Sequence, residues 1–350
     1  MVKVLDAEGL CMEEVLQAYD WKGEVEKVCR YGAGHINDTF ALTARNTQGD
    51  LIDYILQRIN KSIFKKPEYV MDNIIGVTSF RETLTVYQTK DGLGYYKDSQ
   101  GDYWRVFLFI EDAIWLQSVE NPQQFFESAR SFGNFMNLLG EYPAEELHET
   151  IPDFHNTPVR YENLMRAVEK DEMGRVALVE KELEFIRQRK EDCFYLVRLL
   201  EQGKLPLRVT HNDTKLNNIL LDSKTQKGVC IIDLDTIMPG LAAYDFGDSI
   251  RFGAATAAED EPDLSKVHFS EELYETYMEG YLQGAGDVLT SEEIASLPWG
   301  ARLMTLECGM RFLTDYLEGD HYFKISRPEH NLDRTRTQLK LVWEMEEYFK

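Results

Sequence analysis

The sequence predicts an α+β protein in two lobes: a small, mostly antiparallel β-sheet carrying one helix over residues 1–112, and a mainly α-helical region over residues 113–350. Three observations predict it. The first third alternates short β-type runs with turns. Beyond Ile110-Glu111-Asp112 the apolar periods lengthen to those of helices. A short island of strands, its loops rich in carboxylates and amides, interrupts the helices between residues 207 and 235. A chain of 350 residues is long enough for two such lobes.

In the first lobe, Val25 to Tyr31 reads as a strand, Gly32 to Asn37 as a glycine-containing turn and Thr39 to Thr43 as a second strand. After a turn at Asn46 to Asp50, Leu51 to Ile59 alternates as a third. Pro67 opens a helix to about Val86, with Val70, Ile74, Ile75 and Val77 spaced for one face. Gly94 to Lys97 and Tyr103 to Phe109 flank the turn Asp98-Ser99-Gln100-Gly101-Asp102 as two more strands. In the second lobe, helices are expected over Pro122 to Leu139, Ala177 to Glu201, Glu271 to Gln283, Pro298 to Leu317 and Pro328 to Tyr348. The strand island comprises Leu207 to Thr210, Ile219 to Leu221 and Val229 to Ile232.

Composition excludes several function classes. Lys and Arg number 38 against 61 Asp and Glu, a net charge of −23. A nucleic-acid reader needs a basic face to displace counterions, and an anionic membrane repels so acidic a chain. With 43% hydrophobic and 12% aromatic residues the chain is expected to fold around a large core. It has no apolar run of about 18 residues, and its N-terminus lacks the basic-then-apolar pattern of a signal peptide. The expectation is a cytoplasmic monomer or small homo-oligomer without nucleic-acid or membrane partners. Cys11, Cys29, Cys193, Cys230 and Cys308 are odd in number and never in a Cys-x-x-Cys pair, and read as reduced core residues.

The most informative stretch is Val209-Thr210-His211-Asn212-Asp213-Thr214-Lys215-Leu216-Asn217-Asn218-Ile219-Leu220-Leu221, followed by Val229-Cys230-Ile231-Ile232-Asp233-Leu234-Asp235. An Asp on a loop after a strand, an Asn five residues later and an Asp closing the next hairpin suit phosphoryl transfer. Asp213 would accept the proton of the attacking hydroxyl. Asn218 and Asp233 would hold magnesium, whose hard oxygen ligands they supply. Turn-forming polar residues are the plain alternative, since Asp and Asn favour loops for local hydrogen bonding alone. The whole string in one order argues for the chemical reading.

With these residues the sequence resembles the aminoglycoside phosphotransferase and choline kinase superfamily over essentially its whole length. It is most similar to the N-acetylhexosamine 1-kinase branch, through Gly-Ala-Gly-His-Ile-Asn-Asp-Thr-Phe (32 to 40), Ile-Leu-Gln-Arg-Ile-Asn (55 to 60), His-Asn-Asp-Thr-Lys (211 to 215), Asp-Leu-Asp-Thr-Ile-Met-Pro-Gly (233 to 240), Tyr-Asp-Phe-Gly-Asp-Ser-Ile-Arg-Phe-Gly-Ala (244 to 254) and Arg-Phe-Leu-Thr-Asp-Tyr-Leu-Glu-Gly-Asp (311 to 320). The resemblance implies a protein-kinase-like two-lobe fold, ATP as co-substrate, Mg2+, and phosphorylation of the anomeric hydroxyl of N-acetylglucosamine or N-acetylgalactosamine. Other acceptors of the superfamily, such as choline, homoserine, methylthioribose or an aminoglycoside, share the same catalytic core. So would a catalytically silent nucleotide-binding protein. A protein kinase is disfavoured by the two-glycine loop, the missing strand Lys and the lack of an activation segment between Asp233 and Asp245.

The resemblance also assigns expectations residue by residue. Asp245 spells the start of an Asp-Phe-Gly triplet but comes too late to be the metal residue; it is expected to begin a helix and brace the catalytic loop. Asp235 is either an outer partner of the metal or a turn acid. Gly32 and Gly34 lie where backbone amides cover ATP phosphates. On the third strand, either Gln57 or Arg58 turns toward the cleft, because sequence does not fix the register; Arg58 would clamp a phosphate, with Glu68 as its partner. Glu111 belongs to the link that contacts adenine. His35, Asn37 and Asp38 from the glycine turn, and Arg311, Asp315 and Tyr322 with Tyr316 and Asp320, are candidates for the sugar pocket. Arg311 and Asp315, four apart, are also spaced for an ordinary helical ion pair. Lys215 would steady the transferring phosphoryl charge, and His211 would organise the loop through hydrogen bonds. The acid runs Glu145-Glu146 and Glu259-Asp260-Glu261 read as solvated faces.

Overall fold

The computed structural model describes residues 3–4, 12–32, 36–81 and 83–350. The chain forms two compact units: Met1–Ala113 with Glu146–Ile151 and Ile232–Ile237, and Ile114–Glu145 with Pro152–Ile231 and Met238–Lys350.

The first unit contains β1 (Lys3–Val4), α1 (Met12–Ala18), β2 (Gly23–Arg30), β3 (Asp38–Asn46), β4 (Leu51–Arg58), α2 (Pro67–Phe80), β5 (Val86–Tyr87), β6 (Tyr96–Lys97) and β7 (Tyr103–Leu108). These strands make a seven-stranded sheet in the order β1-β2-β3-β4-β7-β5, with β6 also on β7. Apart from the parallel β1–β2 contact, its ladders are antiparallel. Period-two alternation sets the buried face: Phe40, Leu42 and Ala44 from β3, Tyr54 and Leu56 from β4, and Trp104 and Val106 from β7. The register pairs Phe40 with Leu56 and Leu56 with Val106. Met12, Val15, Tyr19 and Trp21 complete this core.

Two expectations change here. The lobe carries a second helix, α1, whose seven residues are too few for a periodicity to register. Helix α2 ends at Phe80, not near Val86, because Arg81 is extended (φ −139°, ψ 141°) and the chain goes on to pair Val86 and Tyr87 with β7. The β-branched Thr83, Thr85 and Val86 favour that extended course.

The second unit contains β8 (Ala113–Ile114, of which Ile114 belongs here), α3 (Pro122–Leu138), α4 (Thr157–Lys170), α5 (Glu180–Arg187), α6 (Tyr195–Glu201), β9 (Arg208–Thr210), β10 (Ile219–Asp222), β11 (Gly228–Ile231), β12 (Met238–Gly240), α7 (Ala242–Gly253), α8 (Glu271–Ala285), α9 (Ser291–Glu318) and α10 (His330–Tyr348). Its core joins α4, α5, α6, α7, α9 and α10 through Leu164, Leu183, Leu196, Ala243, Met310 and Val342 among others. Helices α7 and α9 meet backbone to backbone: a Cβ on Gly247 would lie 2.2 Å from the Gly300 carbonyl oxygen, and one on Gly300 would lie 2.0 Å from that of Ala243.

The expected helix over Ala177 to Glu201 is two, α5 and α6, separated by a 3-10 turn at Asp192–Phe194. Pro298 does not open α9 but lies within it; the helix starts at a capping box in which Thr290 and Glu293 bond each other's backbone N–H. Helix α4 was not expected; Asn156 caps it, and Pro158 fits its first turn. The strand island also divides. β10 and β11 form a hairpin in the sheet β11-β10-β8, whereas β9 pairs with β12. Of the expected core cysteines, only Cys193 is fully buried; Cys29, Cys230 and Cys308 are half-buried, and Cys11 lies outside the described residues. Burial pushes the Cys193 thiol up to about 12. Among the described residues no helix is long and apolar enough to cross a membrane.

Candidate active site

In the second unit, the chain leaves β9 at Thr210 and enters the loop 211–215, which hangs from α7. The two carboxylate oxygens of Asp245 accept the backbone N–H groups of His211 and Asn212, each at 2.8 Å. Thr214 donates its hydroxyl to the Asp245 carbonyl at 2.6 Å and its N–H to Asp248 at 3.0 Å, and Ser249 donates to the Thr214 carbonyl at 2.7 Å. Asn212 holds a left-handed conformation (φ 63°), one that Asn tolerates better than most residues. His155 lies 3.3 Å from the Asn212 carbonyl through Nε2 and 3.0 Å from Glu307 through Nδ1.

This scaffold presents Asp213. Its side chain is 26% exposed, where Asp245 is 2% exposed, so the first carboxylate is accessible and the second is a brace. Lys215 Nζ lies 2.8 Å from Asp213 Oδ1. The Asn218 amide nitrogen donates to Asp213 Oδ2 at 3.0 Å and to its carbonyl at 2.8 Å. That fixes the amide through its nitrogen. Burial works to lower the Lys215 ammonium, but the Asp213 and Asp248 carboxylates outweigh it and hold its pKa above the usual lysine value. For Asp245 burial wins, raising the carboxyl despite the His211 and Asn212 contacts.

In the first unit, Asp233 is exposed and takes a left-handed conformation (φ 61°, ψ 54°) at the start of a 3-10 turn, Leu234–Thr236. Asp235, two residues on, is 4% exposed. One of its oxygens is ion-paired with Arg105 and the other accepts from Asn37 Nδ2 at 2.5 Å. One oxygen is thus engaged by charge and the other by a hydrogen bond. Arg105 is 1% exposed and also donates from Nε and Nη2 to Gln57 Oε1, at 3.0 and 2.8 Å.

The register therefore turns Gln57, not Arg58, toward the buried cation. Arg58 pairs with Asp38 and with Asp102, the latter at 3.0 Å, rather than with Glu68, which accepts from the Tyr103 hydroxyl at 3.0 Å. Asp38 is further engaged by Arg30 at 2.9 Å. Asn37 is bound to Asp235 and to the Asn60 N–H, and Asp38 is held by two arginines, so both are engaged within this unit. Gly32 has the positive φ (75°) that glycine permits. Gly34 and His35 lie outside the described residues. Glu111 is an exposed turn residue before Asp112, itself left-handed at φ 53°.

On α9 of the second unit, Arg311 and Asp315 do not pair. Asp315 is 4% exposed and accepts the N–H groups of His321, Tyr322 and Phe323 at 2.7–2.9 Å and the Asn331 amide at 2.8 Å. It shapes the turn after α9 and has no lone pair to spare for a sugar. Among the described residues Arg311 makes no ion pair; its guanidinium stands 5.6–5.9 Å from the rings of Phe154, Tyr322 and Phe323. Burial and the Arg311 charge lower the pKa of Arg160. Tyr322 is 71% exposed.

Sequence reasoning missed Arg105, His155, Arg160 and Glu307. Only Arg105 left a signal, a lone charge in the otherwise apolar run Tyr103-Trp104-Arg105-Val106-Phe107. Metal-ligand spacing offered no other centre, and among the described residues no group of His, Cys, Asp and Glu could hold a metal ion by itself.

The chain matches the phosphotransferase enzyme family, APH, over residues 27–288. It belongs to that family. It is similar in fold to an aminoglycoside phosphotransferase from Alicyclobacillus acidocaldarius (12% identity, 97% of this chain and 96% of that one, TM-score 0.61). It is similar also to the amicoumacin kinase hAmiN in complex with AMP-PNP, Ca2+ and Ami (14%, 97% and 93%, TM-score 0.60). A choline kinase from Cryptosporidium parvum is a third (15%, 92% and 90%, TM-score 0.57). The fold is the protein-kinase-like one of aminoglycoside and choline kinases, and the family makes the protein a phosphotransferase.

Proposed function

We propose that this phosphotransferase is an ATP-dependent kinase that phosphorylates the anomeric hydroxyl of N-acetylglucosamine or N-acetylgalactosamine, giving the sugar 1-phosphate and ADP. The observation that carries the phosphotransfer chemistry is Asp213, accessible, fixed by Asn218 and Lys215, and presented on a loop suspended from Asp245 and Asp248. Residues 1–112 would form the nucleotide lobe and residues 113–350 the catalytic and acceptor lobe.

In this reading Asp213 orients the anomeric hydroxyl and takes its proton as the bond to phosphorus forms. Lys215, kept protonated beside Asp213, places a positive charge near the transferring group. Asn218 and Asp233 offer one amide and one carboxylate oxygen, a donor set that suits Mg2+, which would neutralise the phosphate charge. The glycine turn would cover the nucleotide through Gly32 and Gly34. Positioning supplies much of the rate, which accounts for a base braced by so many hydrogen bonds.

The acceptor assignment rests on the motif resemblance, with support from Arg311. A guanidinium bordered by three aromatic rings, and without an ion pair among the described residues, is suited to a neutral ring with an apolar face and several hydroxyls, and poorly suited to a cationic amine. Phosphorus NMR of the protein with Mg-ATP and N-acetylglucosamine tests the whole. A phosphate coupled to the anomeric proton is expected. ADP with phosphate attached to another acceptor would overturn the sugar assignment alone; ATP binding without turnover on any acceptor would overturn the kinase.

A further inference from the structure

We propose that Arg105 is a positioning residue for Asp233, acting through Asp235. The inference rests on the reading above in which Asp233 holds a divalent cation.

Arg105 and Asp235 are 1% and 4% exposed, so the pair is withdrawn from water. A buried ion pair is costly to desolvate and is often no more stabilising than an apolar replacement. Its retention calls for a geometric reason, and the contacts supply one. Gln57 Oε1 accepts two N–H groups of Arg105, which fixes the plane of the guanidinium on the sheet. Arg105 Nη1 then holds one oxygen of Asp235 as an ion pair, and the Asn37 amide donates a hydrogen bond to the other. Asn37 is itself held by the Asn60 N–H at 2.9 Å. At the far end of the same turn, the Ile237 carbonyl accepts from Asn73 at 2.8 Å.

Asp235 and Ile237 are thereby both anchored, and Asp233 opens the same turn in a left-handed conformation that persists only where its surroundings dictate it. A carboxylate on a loose turn would wander; here the turn is tied to β7 through Arg105, to Asn37 just before β3 and to α2 through Asn73. Arg105 thus sits one step behind a proposed cation ligand, as groups that orient metal ligands do.

The test compares wild type with Asp235→Asn, Arg105→Met and Asp233→Asn. Mn2+ binding to the full-length protein saturated with ADP is followed by electron paramagnetic resonance, and ADP binding in EDTA by calorimetry. Both Arg105→Met and Asp235→Asn are expected to weaken Mn2+ about tenfold or more, with metal-free ADP affinity unchanged. A variant carrying both Arg105→Met and Asp235→Asn should be no worse than the poorer single one, because the two act in one chain. A merely structural pair would lower the melting temperature and leave Mn2+ affinity alone, and that result overturns the proposal. Should Arg105→Met not fold, Asp235→Asn decides, since it keeps the side chain's size while removing the charge that pairs with Arg105. Unchanged Mn2+ binding in Asp233→Asn overturns the metal reading and the proposal together; loss in Asp233→Asn alone overturns the proposal only.

Discussion

Asp245 accepts the backbone N–H of Asn212 at 2.8 Å, fixing the residue immediately before Asp213 from a helix 33 positions later. Its other oxygen does the same for His211. The Asp-Phe-Gly string at 245–247 therefore braces the loop, and its carboxylate has no oxygen turned away from it.

Replacement of Asp245 by Asn should expose what that brace is worth. The amide keeps the shape but offers one acceptor where two N–H groups converge, leaving one of them facing an NH2 group. An unpaired buried donor costs about 1–3 kcal/mol. Urea denaturation should show a loss in that range, together with a fall in kcat and little change in KM for ATP. Wild-type stability with wild-type kcat would show that α7 does not support the loop.

Asp213→Asn separates binding from chemistry. The side chain keeps its shape and loses its basicity and its ion pair with Lys215. Turnover should fall about 10²–10⁴-fold, the usual contribution of a general base. ADP affinity, measured by calorimetry, should stay near wild type. A variant turning over at the wild-type rate would remove Asp213 from the mechanism.

Much of the fold was legible because periodicity is local. β4 alternates and β7 is a short apolar run bounded by a turn, and α3 and α10 carry both an apolar stripe and a start signal near where the structure begins them. The misplaced start of α9 was legible too: Thr290 and Glu293 spell a capping box, but Pro298 is the louder signal. The loop residues Asp213 and Asn218 stood out as a spaced string. Partners did not, because pairing is long-range. Nothing near Asp235 in sequence names Arg105, 130 residues away, and nothing near Arg58 says that Asp38 and Asp102 will claim it before Glu68. Spacing likewise set Arg311 beside Asp315, whereas the turn after α9 supplies Asp315 with backbone donors that no helical wheel displays.

The Arg58 cluster makes the first unit sensitive to acid. Burial works to raise the Asp38 and Asp102 carboxyls. Arg58 and Arg30 on the first, and Lys61 and Arg58 on the second, outweigh it and hold both below the ordinary aspartate value. A carboxylate depressed in the folded state binds protons more readily when unfolded. Its stabilisation is complete above the unfolded value of about 3.9 and is lost as pH falls through the lower folded value. Arg58→Gln should therefore be less stable than wild type at neutral pH, with the gap narrowing as pH drops below about 4. Urea midpoints across that range measure it; a gap independent of pH would mean that Arg58 acts through packing.

The approach of α7 to α9 sets a stricter limit than any charge in the second unit. A methyl on Gly247 would stand 2.2 Å from the Gly300 carbonyl oxygen, and because that atom is backbone, no rotamer change relieves the clash. The helices must part, disturbing the packing of Ala243 and Met304 in the core between them. Gly247→Ala should cost about 1–3 kcal/mol, as overpacking of a filled interior does. Since α7 also carries Asp245 and Asp248, the displacement should reach the Asp213 loop and lower kcat beyond what lost stability explains at a temperature where the variant is fully folded. Gly253→Ala is the control. Its methyl would meet the Phe125 ring at 2.2 Å, a side chain on α3, near the C-terminal end of α7. It should cost stability with a smaller effect on kcat, and equal losses of kcat in the two variants would show that the loop does not depend on how α7 rests against α9.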